Sequence, residues 1–203
     1  MCIRDRTGTA SISYTVSTAT PVVHLTETPS PATLGTITYH VTVTGAGATP
    51  TGSVSVSDGT RSCNIAALNG SGTGSCAFGE PAGTHSVKAT YSGNANYVTA
   101  SATLSVSVAK ATPTVHLTSS ANPAPHAESV TYTVTVSGVA GFGVDGNATI
   151  TDGTRACTAT INSSTEIGSC HISEPVGSYT ISAIYNGSSN YTTKLVTMRE
   201  VVN

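Results

Sequence analysis

The chain repeats itself at an interval of 94 residues, and this limits its fold more than any other feature. Asp58-Gly59-Thr60-Arg61 returns as Asp152-Gly153-Thr154-Arg155. Cys63 and Cys76 return as Cys157 and Cys170, and Glu80-Pro81 and Gly83 as Glu174-Pro175 and Gly177. Tyr91 and Tyr97 return as Tyr185 and Tyr191. Upstream the interval slips to 92 for Val23-His24-Leu25 against Val115-His116-Leu117, and to 93 for Tyr39 against Tyr132. Single-residue insertions in surface loops produce slips of this kind. Self-similarity at a fixed interval marks tandem copies of one folding unit.

A partial third copy precedes the other two. Ile12, Tyr14 and Val16 align with Leu104, Val106 and Val108, and each set is followed by Ala-Thr-Pro ending at Pro21 or Pro113. The expected organisation is therefore a last strand of a truncated upstream repeat over 7–18, one domain over 20–109 and a second over 112–202. Residues 1–6, MCIRDR, match nothing downstream and read like the translation of a sequencing adapter; we treat them as an assembly scar. The join Ala109-Lys110-Ala111-Thr112-Pro113 is short, and Pro113 biases Thr112 to extended backbone. A join of this length favours a stiff array over a flexible string.

Each full repeat contains about seven short apolar-alternating runs separated by turn signals, which predicts an all-β sandwich. In the first repeat they fall near 22–27, 36–44, 52–58, 61–68, 71–78, 85–91 and 101–108. Ile37, Tyr39, Val41 and Val43 alternate with Thr36, Thr38, His40 and Thr42, so the first set should face the core. Val54 and Val56, then Val87, Ala89 and Tyr91, then Leu104, Val106 and Val108 follow the same rule. So do Val130, Tyr132, Val134 and Val136, then Ala148 and Ile150, then Ile181, Ala183 and Tyr185. The final run breaks the rule: Glu200 falls where Val106 sits, just after Met198 and Arg199. That run reads as a frayed edge, a terminal one, or an error in the sequence.

Charge argues against several functions. Charged residues are 9% of the chain and the formal net charge is −2. No basic stripe is present to hold nucleic acid, and no apolar run approaches the 18 or so residues of a membrane helix. Nucleophile-elbow, phosphate-loop, HExxH and EF-hand motifs are missing from the sequence. Neither an enzyme nor a cofactor is expected. His24, His40, His116 and His171 should face solvent by strand parity, and His126 lies in a Pro-rich loop. His24 and His40 fall on one outer face without a carboxylate or Cys partner, a poor zinc site. Asp58, Asp145 and Asp152 stand singly beside Gly, which marks turn formers rather than calcium ligands. No metal site is expected.

Without Cys2, four cysteines remain in two identical spacings of 13. If Asn69-Gly70 is a two-residue type I′ turn, Cys63 falls opposite Cys76 at a non-hydrogen-bonded position of one hairpin. At such a position the Cα atoms lie about 4.5 Å apart, within disulfide range. The same geometry places Cys157 opposite Cys170 across Ser163-Ser164, a weaker turn. Disulfides Cys63–Cys76 and Cys157–Cys170 are expected, each locking a hairpin and implying an oxidising compartment. The alternative is four reduced cysteines acting as small core residues.

The frame Ala-Thr-Pro-x-Val-x-Leu, Thr-Tyr-x-Val-Thr-Val, Asp-Gly-Thr, Glu-Pro-x-Gly and Tyr-x-Gly-x-x-Asn-Tyr resembles the bacterial Ig-like domain of group 3. The segment Tyr91-Ser92-Gly93-Asn94-Ala95-Asn96-Tyr97 carries it most specifically. The resemblance implies tandem immunoglobulin-like β-sandwiches in large secreted or surface-anchored bacterial proteins. The family has no shared catalytic residues to carry over. Tyr91, Tyr97, Tyr185 and Tyr191 are expected in structural corner and loop positions. His85 matches Tyr179 just after Glu-Pro-x-Gly, a place that resembles the tyrosine corner of Ig folds, so both should bond to backbone. The expected role is a non-catalytic stalk or spacer, with neighbouring Ig-like repeats of the same chain as partners. Two other readings stand beside it: an adhesive module for a cell-surface glycan or host protein, and accessory repeats of a secreted hydrolase. Absence of Trp and inward-facing Tyr weigh against the glycan binder.

Overall fold

The computed structural model describes residues 12–13, 15–126 and 128–203. Among them are fifteen strands and no helix. The first sandwich holds β1 (Val22–Thr28), β2 (Ala32–Thr33), β3 (Gly35–Thr44), β4 (Val54–Ser57), β5 (Ser62–Ile65), β6 (Thr73–Glu80), β7 (Gly83–Tyr91) and β8 (Ala100–Ala109). The second holds β9 (Thr114–Ser119), β10 (Ser129–Ser137), β11 (Asn147–Thr151), β12 (Ala156–Thr160), β13 (Ile167–Ser173), β14 (Gly177–Tyr185) and β15 (Lys194–Val202).

Each sandwich packs a three-stranded sheet on a larger one. In the first, β1-β3-β6 faces β2-β8-β7-β4-β5. In the second, β9-β10-β13 faces β12-β11-β14-β15. All ladders between strands are antiparallel except β2, which runs parallel to β8 through Ala32 and Val108. The period-2 pattern explains the packing: along β3 Ile37, Tyr39, Val41 and Val43 are buried while Thr36 and His40 are exposed. Its counterpart β10 buries Val130, Tyr132, Val134 and Val136. Three tyrosines per sandwich supply the bulk that Trp would give elsewhere, and Tyr39, Tyr91, Tyr132, Tyr185 and Tyr191 are fully buried.

Three expectations change. First, Cys63 and Cys76 do not face each other in a hairpin. β5 pairs with β4 and β6 with β3, so each cysteine belongs to a different sheet. The turn is built by Asn69, whose Oδ1 accepts the amides of Ser71 and Thr73, with Gly72 at φ +74°. Asn69 N–H donates to Thr73 O, so the register is not that of a two-residue loop at Asn69-Gly70. In the second sandwich Asn162 caps the turn in the same way, and Glu166 takes the left-handed position. Second, of the alternatives for the run through Glu200 fraying is excluded: β15 is the edge strand of its sheet and pairs with β14 over its whole length, from Lys194 opposite Tyr185 to Val202 opposite Gly177. Third, the described residues between 12 and 18 form no strand, and Ile12 and Val16 are exposed. Residues 1–11 and Tyr14, which carry the rest of that expectation, lie outside the described residues.

Candidate functional site

A buried carboxyl lies at the same pole of each sandwich. In the first, Asp58-Gly59-Thr60-Arg61 turns the chain from β4 into β5. Asp58 Oδ1 accepts the amides of Thr60, at 2.7 Å, and Arg61, and Gly59 adopts φ +93°. The turn points both the Asp58 carboxylate and the Arg61 guanidinium at Glu80, the last residue of β6. Glu80 is fully buried. Its Oε1 accepts the Tyr39 hydroxyl at 3.1 Å, whereas Oε2 has no hydrogen-bond partner. Arg61 Nη1 lies 3.8 Å and His85 Nδ1 3.5 Å from that oxygen.

Burial pushes the Glu80 carboxyl above its usual range, against the pull of His85 and the Tyr39 hydroxyl. Burial also pushes Asp58 up, but the Arg61 and Thr60 amides and the Arg61 charge outweigh it and hold Asp58 low. Tyr39 is raised by burial and by Glu80.

The second sandwich rebuilds the group with two changes. Tyr132 donates to Glu174 Oε1 at 3.2 Å, and Glu174 Oε2 has no partner. Arg155 Nη1 pairs with Asp152 Oδ2 at 3.2 Å. Tyr179 stands where His85 stands, and a second buried acid, Glu200, replaces Val106. Neither carboxyl oxygen of Glu200 has a hydrogen-bond partner. Burial raises both Glu174 and Glu200, and the Ser119 side chain and Val201 backbone offset this only in part at Glu200. Asp58 and Asp152 form the turns expected of them, but the buried groups beside them carry no motif. The available signal was the joint recurrence of Tyr39, Asp58, Arg61 and Glu80 in both repeats.

The predicted residues separate into covalent and hydrogen-bonded staples. Disulfides Cys63–Cys76 and Cys157–Cys170 have Cα separations of 5.8 and 5.9 Å. Cys63 is paired with Val56 in one sheet and Cys76 with Tyr39 in the other, so the bond ties sheet to sheet. The tyrosine hydroxyls tie loops: Tyr91 to Thr51 O, Tyr185 to Asp145 O, Tyr97 to Ala46 O and Ala48 O, and Tyr191 to Phe142 O. His85 Nε2 and Tyr179 Oη each reach the carbonyl four residues earlier, Pro81 O and Pro175 O, at 2.9 Å. His24, His40, His116, His126 and His171 are exposed.

The Tyr97 ring needs Gly45. A Cβ there would sit 2.3 Å from Tyr97 Cε1, and Gly138 stands equally close to Tyr191. Gly45→Ala is expected to destabilise the first sandwich by about 1–3 kcal/mol through overpacking, read as a lower urea midpoint at unchanged slope.

The two sandwiches meet through a small apolar and polar joint. Leu34, 5% exposed, belongs to the buried cluster of the second sandwich, and Gly35 and Gly79 lie against Val139 and Phe142. Ala82 N–H donates to Asn190 Oδ1 at 3.0 Å, and Lys110 Nζ donates to Ser188 O. The joining segment is itself held: Ala111 N–H bonds to Asn190 O and Thr192 N–H to Ala111 O. Ala19 is bonded identically, to Asn96 O and from Val98 N–H.

Two facing sheets tied by an inter-sheet disulfide form an immunoglobulin-like sandwich, a fold that suggests a structural or extracellular module. A family model for the bacterial Ig-like domain (group 3) matches residues 25–109. That match spans most of the first sandwich, and Ig-like domain families are generally non-catalytic. Among solved structures the chain is similar to the fibronectin(III)-like modules of Clostridium thermocellum CbhA. Identity there is 18%, the match covers 90% of this chain and 94% of that one, and the TM-score is 0.37. It is also similar to murine CEACAM1b, at 13% identity over 90% of this chain and 100% of that one, TM-score 0.32. No curated protein matches the chain. No helix among the described residues is long and apolar enough to cross a membrane.

Proposed function

We propose that this segment is a stiff spacer in a secreted or surface-anchored bacterial protein, its partners being neighbouring repeats of the same chain. The joint carries this reading. Leu34 is buried against the second sandwich, the Ala82–Asn190 bond crosses the boundary, and the linker is hydrogen-bonded to a loop of the domain it enters. Ordering a linker costs conformational entropy, so a linker fixed by backbone bonds resists bending. The disulfides suit an oxidising, extracellular setting. Outer faces rich in Ser and Thr and poor in charge suit a solvated rod. Adhesion remains the second role of such modules, but no observed feature favours it over spacing.

The test is amide relaxation by NMR on the full chain. Both sandwiches are expected to tumble as one elongated body with a single diffusion tensor. Leu34→Ser combined with Asn190→Ala should release them to tumble separately, with a clear drop in correlation time. Independent tumbling in the unaltered chain would defeat the spacer reading.

A further inference from the structure

We infer that Asp58, Glu80 and His85 form a site for a zinc-class divalent cation in the first sandwich, against the sequence expectation of no metal. The argument starts from a tautomer. His85 Nε2 lies 2.9 Å from Pro81 O, and a carbonyl can only accept, so Nε2 carries the proton. Nδ1 of the neutral ring then presents a lone pair to Glu80 Oε2, 3.5 Å away. That oxygen is fully buried and has no hydrogen-bond partner. Two lone pairs facing each other, the Glu80 one fully buried and the His85 one partly so, need a positive centre between them, either a proton or a metal ion.

The geometry suits the metal. An ion about 2.1 Å from each ligand in a tetrahedral shell holds its ligand atoms about 3.4 Å apart. The His85–Glu80 separation of 3.5 Å is that edge. One ligand atom each from Asp58, Glu80 and His85 lies within 4.8 Å of the others. Pro81 O fixes the ring through its far nitrogen, the outer support that ligating histidines commonly have. Asp58 is aimed by the Thr60 and Arg61 amides. One nitrogen with two carboxylates favours zinc-class ions over calcium, which takes six or more oxygens. Arg61 Nη1 stands 3.7 Å from Asp58 and 3.8 Å from Glu80, too far for a hydrogen bond, and its side chain is 39% exposed. It can swing outward and leave its place to the ion and a water. The second sandwich is a built-in control: Asp152 and Glu174 are present, but Tyr179 replaces the imidazole.

Titration of the full chain with zinc chloride at pH 7.5 should give one bound ion per chain and a higher melting temperature. Cobalt chloride should give the intense visible bands of a four-coordinate ion. His85→Tyr, which copies the second sandwich, should bind at least tenfold more weakly, and His24→Ala with His40→Ala should bind as before. In the unaltered chain the Nδ1 resonance of His85 should shift on zinc addition, a readout that needs no variant. Absence of binding, or binding that survives His85→Tyr with no shift at Nδ1, overturns the site.

Discussion

Replacing Cys63 and Cys76 together by Ala is expected to lower the stability of the first sandwich by about 3 kcal/mol. Closing a loop of 13 residues removes chain entropy from the unfolded state, and that advantage is lost with the bond. The effect is large beside the total stability of a small domain, which is about 5–15 kcal/mol. Cys157 and Cys170 should behave alike in the second sandwich, whose disulfide has the same separation. Thermal unfolding of each double variant, against the unaltered chain with and without reductant, provides the check. Equal stability of oxidised and reduced protein would show that sheet-to-sheet packing alone holds the sandwich. Thiol counting on the unreduced chain gives an independent reading, with four free thiols among these positions excluding both bonds.

Glu200→Val is expected to stabilise the second sandwich by about 1–3 kcal/mol at neutral pH, the usual cost of a buried polar group left without partners. Val106 occupies the equivalent place in the first sandwich, so the fold accepts this side chain there. The same carboxyl predicts a pH slope. Burial raises Glu174 and Glu200 above the ordinary value of 4.5, so the folded state holds their protons more tightly than the unfolded chain. Their contribution is therefore greatest below about pH 4.5 and is lost as pH rises through the raised values. Asp152 acts oppositely: burial pushes it up, but the Arg155 and Thr154 amides and the Arg155 side chain hold it below 3.8, so its contribution is lost in stronger acid. The second sandwich should be most stable in mild acid, between these limits. Glu200→Val and Glu200→Gln should both flatten the decline toward neutral pH, and only the Val variant should also gain the packing benefit. Urea unfolding from pH 3.5 to 8 measures both; an unchanged slope in both variants would mean Glu200 stays ionised in the fold.

Alternation along the strands told which side of each strand is buried, as Ile37, Tyr39, Val41 and Val43 illustrate. It could not tell which strand lies beside which, because face and partner are separate properties of a strand. The cysteines show the difference. Their pairing was legible from the repeated spacing, yet the hairpin invoked for it does not exist, since β5 and β6 part into opposite sheets after the Asn69 turn. Nor was the carboxyl group legible. Glu80 ends β6 and Glu174 directly follows β13, each beside a Pro where alternation stops, and a lone Glu is ordinarily an exposed residue. Leu34 fell outside every periodic run because it lies between β2 and β3 and packs on the next sandwich.

The inter-sheet position of the disulfides sets how far such an array can lengthen under load. A sandwich pulled from its ends unravels strand by strand, but the chain between its two cysteines stays a closed loop. At about 3.5 Å per residue, the 13 residue steps between Cys63 and Cys76 withhold about 45 Å from the extension released when the first sandwich opens. The second sandwich withholds as much between Cys157 and Cys170. Tension then bypasses the loop and runs through a covalent tie between the sheets, so an overloaded repeat gives way in a short, fixed increment rather than paying out its full length.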